Sequence, residues 1–152
     1  MSEIKARAEQ SRHKKAAFGI DLDLEEFSRQ GGNWDYDPDY RQFSPEERSR
    51  LLTAGIELTD EDHAATFLQA DKAIVHCQTR QPGLEVLPIT QALNKHSWVK
   101  DHLWGLVAVD ADKYTASAEL ELDNGYFICA EKGAQIDQPV ESCFFHHTPL
   151  DV

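Results

Sequence analysis

The sequence predicts an α+β fold, in which a helical N-terminal part and a mixed α/β middle lead into short β-strands near the C-terminal end. Two observations indicate this class. A capped helical pattern occupies residues 44–55, and two β-rich runs, Tyr126–Ala130 and Val140–His146, follow Gly125. The chain has 152 residues, which is about one domain at roughly 100–200 residues per domain, so several domains would need special evidence.

The composition excludes several classes of protein. Asp and Glu number 27 against 15 Lys and Arg, and the formal net charge of -12 disfavours a nucleic-acid partner, because nucleic-acid binding depends on clustered basic side chains. No stretch approaches the roughly 18 apolar residues of a membrane-spanning helix, and the N-terminus lacks the apolar part of a secretory signal. Cys77, Cys129 and Cys143 are widely spaced, which fits reduced thiols better than a disulfide framework. We therefore expect a cytoplasmic protein with no membrane or nucleic-acid partner.

The N-terminal segment, residues 1–17, is a small basic arm on an acidic chain, since it holds five basic and two acidic side chains. It favours helix but has no continuous apolar stripe, so we expect a weakly anchored, frayed helix. Leu22, Leu24 and Phe27 lie among acidic residues and predict a short helix. A loop rich in aromatic and acidic residues follows, and we expect it to fold back onto its own domain: Gly31, Gly32, Asn33, Trp34, Asp35, Tyr36, Asp37, Pro38 and Tyr40.

The clearest local signal is a capping box at residues 44–47. Ser44 suits the N-cap, Pro45 the first helical position and Glu47 the third, while Gly55 provides a stop. This pattern predicts a helix from about Pro45 to Ala54 that buries Leu51 and Leu52.

The remainder of the middle part, which we take as residues 18–123, alternates between helix and strand signals. A weaker capping pattern predicts a helix at Ala64–Gln69, and the runs Ala73–Cys77 and Leu84–Leu87 predict a hairpin across the turn at Pro82.

Two further helices are expected to supply much of the core. One contains Ile89, Ala92 and Leu93, and the other runs from Trp98 to Val107. Lys113–Leu122 is ambiguous between helix and strand.

The last part, residues 124–152, contains the two β-rich runs. Both faces of each run carry apolar side chains, which predicts strands covered on two sides. A terminal hairpin of this kind would expose an unpaired edge and an uncovered face. We therefore expect that covering segments beyond Val152 are missing, and that the isolated strands pair with a second copy edge to edge.

No constellation of residues predicts an active site or a metal site. His76 and Cys77 are neighbours and would point to opposite faces of a strand. Cys143 and His147 share a face but are roughly 13 Å apart at the strand rise, too far for one metal. Asp110 and Asp112 are typical of helix caps. The sequence therefore assigns no catalytic, metal-binding or cofactor-binding residue.

Six motifs occur in an order that resembles the N-terminal part of the SufB/SufD family of iron-sulfur cluster assembly proteins, especially its shorter archaeal and anaerobic bacterial members. They extend from Gly55 to about Cys143: Thr66-Phe67-Leu68-Gln69 leading to Asp71, Val75-His76, Glu85-Val86-Leu87-Pro88-Ile89, Trp98 with Lys100-Asp101 and Trp104, Asp112-Lys113-Tyr114-Thr115, and Gly125-Tyr126-Phe127-Ile128.

The resemblance implies a scaffold component that acts through protein association and is not an enzyme. It implies that residues 124–152 are the opening, antiparallel-looking strands of a truncated β-helix. The implied partners of the full-length protein are a SufC-like ABC ATPase and a SufB/SufD-like subunit. The family's cluster-building cysteine and histidine positions lie later than this chain extends, so none is carried over.

This chain departs from the pattern at Cys129, where a basic residue is expected, and after Cys143, where Phe144, Phe145, His146 and His147 replace an aliphatic run. Whether Cys129, Cys143, His146 or His147 contacts iron stays open. Two alternatives also stay open: a free-standing acidic interaction module, and a Cys- or metal-dependent hydrolase that uses Cys77, Cys129 or Cys143 with a nearby histidine.

Overall fold

A computed structural model of the chain describes residues 2–27, 35–37, 39–59, 61–122 and 125–146 and confirms the α+β class. The helices are α1 (Glu3–Ser11), α2 (Pro45–Thr53), α3 (Ile89–Lys95), α4 (Val99–His102) and α5 (Lys113–Leu120), with one 3₁₀ turn at Leu24–Glu26. The strands are β1 (Ala65–Ala70), β2 (Ala73–Thr79), β3 (Leu84–Pro88), β4 (Tyr126–Ala130) and β5 (Val140–Phe145). In the described part of the chain, no helix combines the length and apolar character needed to cross a membrane.

A three-stranded sheet with the order β2-β1-β5 lies at the centre of the fold. Strand β1 pairs antiparallel with β2 and parallel with β5, from Ala65 opposite Val140 to Ala70 opposite Phe145. All six residues of β1 are buried. The helix predicted at Ala64–Gln69 is therefore wrong. A short apolar run that is buried on both faces lacks the alternation that would mark it as a strand.

The second sheet contains β3 and β4, which pair antiparallel from Leu84 opposite Ala130 to Pro88 opposite Tyr126. Both predicted hairpins are wrong, because β3 pairs with β4 rather than β2, and β5 pairs with β1 rather than β4. The hairpin that does form joins β1 to β2 through Asp71 and Lys72, and Asp71 adopts a left-handed conformation with φ of 50°. Such a conformation suits a two-residue hairpin loop, and Asp tolerates it better than most residues.

Two clusters of buried residues are built around the strands, a third lies between α1 and α5, and none of the three contains a residue of α3 or α4. One cluster lies on the Leu68 face of β1 and includes Tyr40, Phe43 and Leu51, and another lies on its Phe67 face with β3. The helix predicted from Trp98 to Val107 ends at His102, Leu106 is fully exposed, and Trp104 has a φ of 62° that no α-helix accommodates. The expectation that this pair of helices supplies much of the core is wrong.

Helix α1 packs against α5, which settles the ambiguity at Lys113–Leu122 in favour of helix. Ala8 is fully buried between them. Its side chain is a single methyl group, so the two helices can approach closely. Arg7 donates two hydrogen bonds to the Asp110 carboxylate, at 3.1 and 2.7 Å. A small buried residue and a bidentate ion pair between two partly exposed side chains thus connect this segment to α5 in place of an apolar stripe, and the expected weak anchoring stays a prediction.

The capping box of α2 is confirmed. The Ser44 hydroxyl accepts a hydrogen bond from the Glu47 amide at 3.2 Å, and the Glu47 carboxylate accepts one from the Ser44 amide at 2.8 Å. The helix ends one residue earlier than predicted, at Thr53. Of the two leucines expected in the core, Leu51 is fully buried, but Leu52 is 63% exposed because the next residue of an α-helix lies about 100° further around its axis.

The loop after the 3₁₀ turn folds back onto the sheet where it is described. Asp37 donates its amide to the Val75 carbonyl at 2.8 Å, and the Tyr40 ring lies 4.1 Å from the buried His76 ring. The predicted breaks at Gly31, Gly32, Asn33, Trp34 and Pro38 fall outside the described residues.

We predict that Leu51→Ala lowers the free energy of unfolding by about 2–5 kcal/mol, because it removes a fully buried side chain and leaves a cavity. Leu52→Ala is the matched control and should change stability by less than about 0.5 kcal/mol, since Leu52 is largely exposed. Urea unfolding followed by circular dichroism measures both. Equal losses in the two variants would contradict this packing.

We also predict a contribution of Asp112 to stability that disappears in acid. Hydrogen bonds from the backbone of Ala17, then Thr115 and Tyr114, lower the pKa of the Asp112 carboxyl. A lowered native pKa stabilises the fold above the unfolded value of about 3.9, and this contribution is lost as the pH falls through the native pKa. Asp112→Asn keeps a capping oxygen but does not titrate, so its stability should fall less steeply below about pH 4.

Asp101→Asn is the control, because the exposed Asp101 side chain makes no hydrogen bond to a described residue. Unfolding midpoints in urea at a series of pH values give the comparison. A wild-type acid slope retained in Asp112→Asn would contradict the assignment.

Candidate interaction surface

One outer edge of the central sheet is covered by a loop, and the other is not paired with any described segment. The edge of β2 is covered by the preceding loop, because Asp37 bonds to Val75 and the Tyr36 hydroxyl donates to the Cys77 carbonyl at 3.1 Å. Strand β5 lies at the other edge, and no described segment pairs with its outer side. An uncovered edge presents unpaired N–H and C=O groups that can bind a further strand.

An aromatic cluster, defined as Phe67, Tyr126 and Phe144, extends from the core to the surface beside this edge. Phe67 is fully buried, and its ring centroid lies 5.3 Å from that of Tyr126 and 6.2 Å from that of Phe144. Tyr126 and Phe144 are 5.9 Å apart, and they are 40% and 50% exposed. Ile128, on the same side of β4 as Tyr126, is also partly exposed. Residues from both sheets thus form one apolar surface, because Phe67 contacts both outer rings.

The face of the central sheet that carries Phe67 and Phe144 also holds two buried polar atoms, Gln69 Oε1 and Ser142 Oγ. Neither atom has a hydrogen-bond partner among the described residues. Gln69 lies opposite Phe144 and Ser142 lies opposite Phe67 in the parallel ladder. The Gln69 amide nitrogen is satisfied by the Asp71 carbonyl at 2.9 Å. An unsatisfied buried polar group costs about 1–3 kcal/mol, so this face contains polar groups whose partners are not supplied by the described chain.

The arrangement nearest to a reactive site is the group His63, Glu141 and Cys143 on the other face of β5. His63 Nε2 lies 4.0 Å from a Glu141 carboxylate oxygen, and Glu141 also interacts with the Cys143 thiol. Burial, together with the negative Glu141, raises the pKa of Cys143 to about 11. A carboxylate beside a thiol opposes formation of the thiolate, which is the nucleophilic and metal-binding form. No signal in the sequence links His63 to β5, because 77 residues separate His63 and Val140.

The other sequence candidates are not brought together. The Cys77 thiol donates to the Val86 carbonyl at 3.4 Å, and burial raises its pKa to about 11. Cys129 lies on β4 and Cys143 on β5, in different sheets, and all three cysteines are free. His146 is exposed at the end of β5, while His147 lies outside the described residues. Within the described ranges, no three His, Cys, Asp or Glu side chains are placed to hold a metal ion.

His76 is a structural residue in this arrangement. It is fully buried, its ring is parallel to that of Tyr36, and its Nδ1 atom lies 3.3 Å from the Asp37 carbonyl. It therefore helps to hold the loop against β2 and does not face Cys77 across a cleft.

Comparison with known proteins identifies three relatives. No protein-family model matches the chain. Two proteins of Methanothermobacter thermautotrophicus, from the strains Delta H and Winter, are 36% and 35% identical to it over 145 residues, and a protein of Archaeoglobus fulgidus is 37% identical over 99 residues. Each bears the name iron-sulfur cluster assembly SufBD family protein. The Methanothermobacter matches cover 91% of this chain but 35% of the relatives, so the chain spans about a third of their length.

We predict that Cys77 and Cys143 react slowly with iodoacetamide in the native protein at pH 7. With a pKa of about 11, the thiolate fraction is small and rises about tenfold per pH unit up to that value. Mass spectrometry of tryptic peptides after timed labelling measures each site, and labelling in urea at the same pH is the control. Rapid native labelling of either residue at neutral pH would contradict these environments.

Proposed function

Because the chain belongs to the SufBD family of iron-sulfur cluster assembly proteins, we propose that it acts as part of a scaffold component of an iron-sulfur cluster assembly system. In this proposal it works through protein-protein association and not through catalysis. The high pKa values of Cys77 and Cys143 support the second half of the proposal, since they argue against an activated thiol.

The observation that carries the proposal is the parallel ladder between β1 and β5, together with an outer edge of β5 with which no described segment pairs. Parallel strands need a long crossover connection and cover on both faces, and a β-helix is built by stacking such strands coil on coil. We propose that residues 124–152 contain the opening strands of a β-helix and that the outer edge of β5 receives the next strand. The parallel pairing replaces the antiparallel start that the sequence suggested.

The aromatic cluster and the unsatisfied atoms support the same role. A following coil would cover Tyr126 and Phe144 and could supply hydrogen-bond partners on the face that holds Gln69 and Ser142. Burying two half-exposed aromatic rings would contribute about 25 cal/mol per Å² of apolar surface removed from water. In the division of the chain into three parts, residues 1–17 would then precede the coils, and the middle part, residues 18–123, would contribute β1 as the strand on which β5 stacks.

The partners that we propose belong to the full-length protein. They are a SufC-like ABC ATPase and a SufB/SufD-like subunit in the cytoplasm, whereas the present residues contribute the start of the coil. On their own, these residues would pair with a second copy through the β5 edge, because the same groups are then uncovered.

We predict that the isolated chain self-associates and that Phe144→Lys weakens this association by about tenfold or more, since it places a charge in an apolar contact beside the edge. Leu52→Lys is the matched control, because Leu52 is comparably accessible but lies on α2, away from β5. Sedimentation equilibrium over a range of concentrations measures the dissociation constants. A monomer that is independent of concentration would contradict the exposed edge.

The assembly role has a separate test. A longer version of the chain, carrying the C-terminal continuation of a Methanothermobacter relative, should co-purify with a SufC-like ATPase, and the present 152 residues should not. Co-purification by neither version would overturn the proposed scaffold function, and equal co-purification by both would overturn the assignment of the contact to the later part.

A further inference from the structure

A second surface, formed by the segment after α1 and the start of α5, has the properties of a preorganised binding site. Residues 16–22 follow α1 and contain Phe18 and Ile20, whose exposed fractions are 92% and 77%. We call this segment the apolar strap. Exposed apolar residues are ordinary, and Leu106 and Val107 form another neighbouring pair, so what sets Phe18 and Ile20 apart is the set of contacts that hold their backbone.

The backbone of the strap is held by polar groups at the start of α5. The Ala17 amide donates to Asp112 Oδ2 at 3.0 Å. The Tyr114 hydroxyl donates to the Ile20 carbonyl at 2.7 Å and accepts from the Leu22 amide at 2.9 Å. Lys113 donates to the Leu22 carbonyl and forms an ion pair of 2.8 Å with Asp21.

These contacts order the strap without burying its apolar side chains. Ordering the backbone of one residue costs roughly 1–2 kcal/mol of conformational entropy, which burial of its side chain normally offsets. Here the ordering is supported by hydrogen bonds, and the Phe18 and Ile20 side chains stay in water. A ligand that covers them would gain apolar contact with little further ordering, which is the condition of a preorganised site.

An acidic groove adjoins the strap. It has a volume of about 520 Å³ and lies between α1, the 3₁₀ turn and α5. Five carboxylates line it, together with two permanently cationic side chains: Glu9, Asp21, Asp23, Glu25 and Glu121, with Arg12 and Lys113. Three of these carboxylates form ion pairs, Glu9 with Arg12, Asp21 with Lys113 and Glu121 with Lys72, so Asp23 and Glu25 carry the excess negative charge. Asp21 belongs to both the groove and the strap, so the strap borders the groove through this residue.

We infer that the strap and the groove together bind a basic amphipathic segment of a protein partner. Its apolar side lies on Phe18 and Ile20, and its Lys or Arg side chains enter the groove. Charge complementarity selects this occupant, because a second copy of a chain with net charge -12, a nucleic acid or an anionic membrane would be repelled by the carboxylates. This inference does not depend on the proposed scaffold function, since no β-strand takes part.

The test uses a synthetic probe of defined chemistry. The probe is a helical peptide of about four turns with leucines on one side and lysines on the other, and its control is a scrambled peptide of the same composition with no apolar side. Binding to the full 152-residue chain is measured by calorimetry at about 0.15 M salt, where charge attraction beyond about 8 Å is largely screened. The amphipathic peptide should bind about tenfold or more tightly than the scrambled one.

Three variants locate the binding. Phe18→Ser with Ile20→Ser should weaken it by about tenfold or more, and Glu25→Gln should weaken it and reduce its salt dependence. Leu106→Ser is the matched control, because it removes a fully exposed leucine that does not border the groove, and it should change the affinity by less than about twofold. Circular dichroism verifies that each variant is folded.

A further variant tests the preorganisation itself. Tyr114→Phe removes the hydroxyl that holds the Ile20 carbonyl and the Leu22 amide but leaves every apolar side chain of the strap in place. It should weaken peptide binding several-fold and speed hydrogen exchange of the Leu22 amide. Unchanged affinity together with faster exchange would show that ordering of the strap contributes nothing to binding and would overturn this part of the inference.

Other results would overturn the site. Equal affinity for the scrambled peptide would show that the binding is general charge attraction. An equal loss of affinity in Leu106→Ser would show that the binding does not depend on the strap. Sedimentation with phosphatidylcholine vesicles that is abolished by the Phe18 and Ile20 double variant would reassign the strap to a lipid surface.

Discussion

Strand β1 is the element on which the rest of the structure depends, because it is hydrogen-bonded along both edges and buried on both faces. Its Leu68 face supports the cluster that contains Leu51 of α2, and its Phe67 face supports the aromatic rings that reach the surface. Fully burying a side chain such as Phe or Leu contributes about 1.5–3 kcal/mol. This one short strand therefore holds together α2, the neighbouring strand β2 and the last described strand β5.

Two features of the described residues bear on what the chain can do: the environments of its thiols and the composition of its surfaces. Two of its three thiols have a raised pKa, and the one carboxylate that contacts a thiol, Glu141, makes that thiol harder to ionise. The aromatic cluster offers apolar area beside an edge of β5 with which no described segment pairs, and the strap offers apolar side chains near acidic ones. Such surfaces are typical of a component that works by association.

The elements that could be predicted from the sequence are those whose signals are local. The capping box of α2 connects residues three positions apart, and β4 and β5 lie almost where their β-rich composition indicated. The errors in strand assignment and pairing were in residues whose structure is decided by distant partners. Ala65–Ala70 carries a weak capping pattern before it, but it becomes a strand because β2 and β5 pair with it on either side. No part of the aromatic cluster could be predicted, since Phe67, Tyr126 and Phe144 are far apart in the sequence.

The sequence by itself determined the net charge of -12, the start of α2, the β-rich character of the last strands and the resemblance to the SufB/SufD family. Composition and capping are properties of single residues or of neighbours within one helical turn, so they need no knowledge of the rest of the chain. Only the tertiary structure decided which strands pair, that Leu51 and not Leu52 is buried, and that His63 lies near Glu141. These outcomes depend on which distant segments can exclude water from each other once the intervening loops are closed, and that balance is a property of the whole fold.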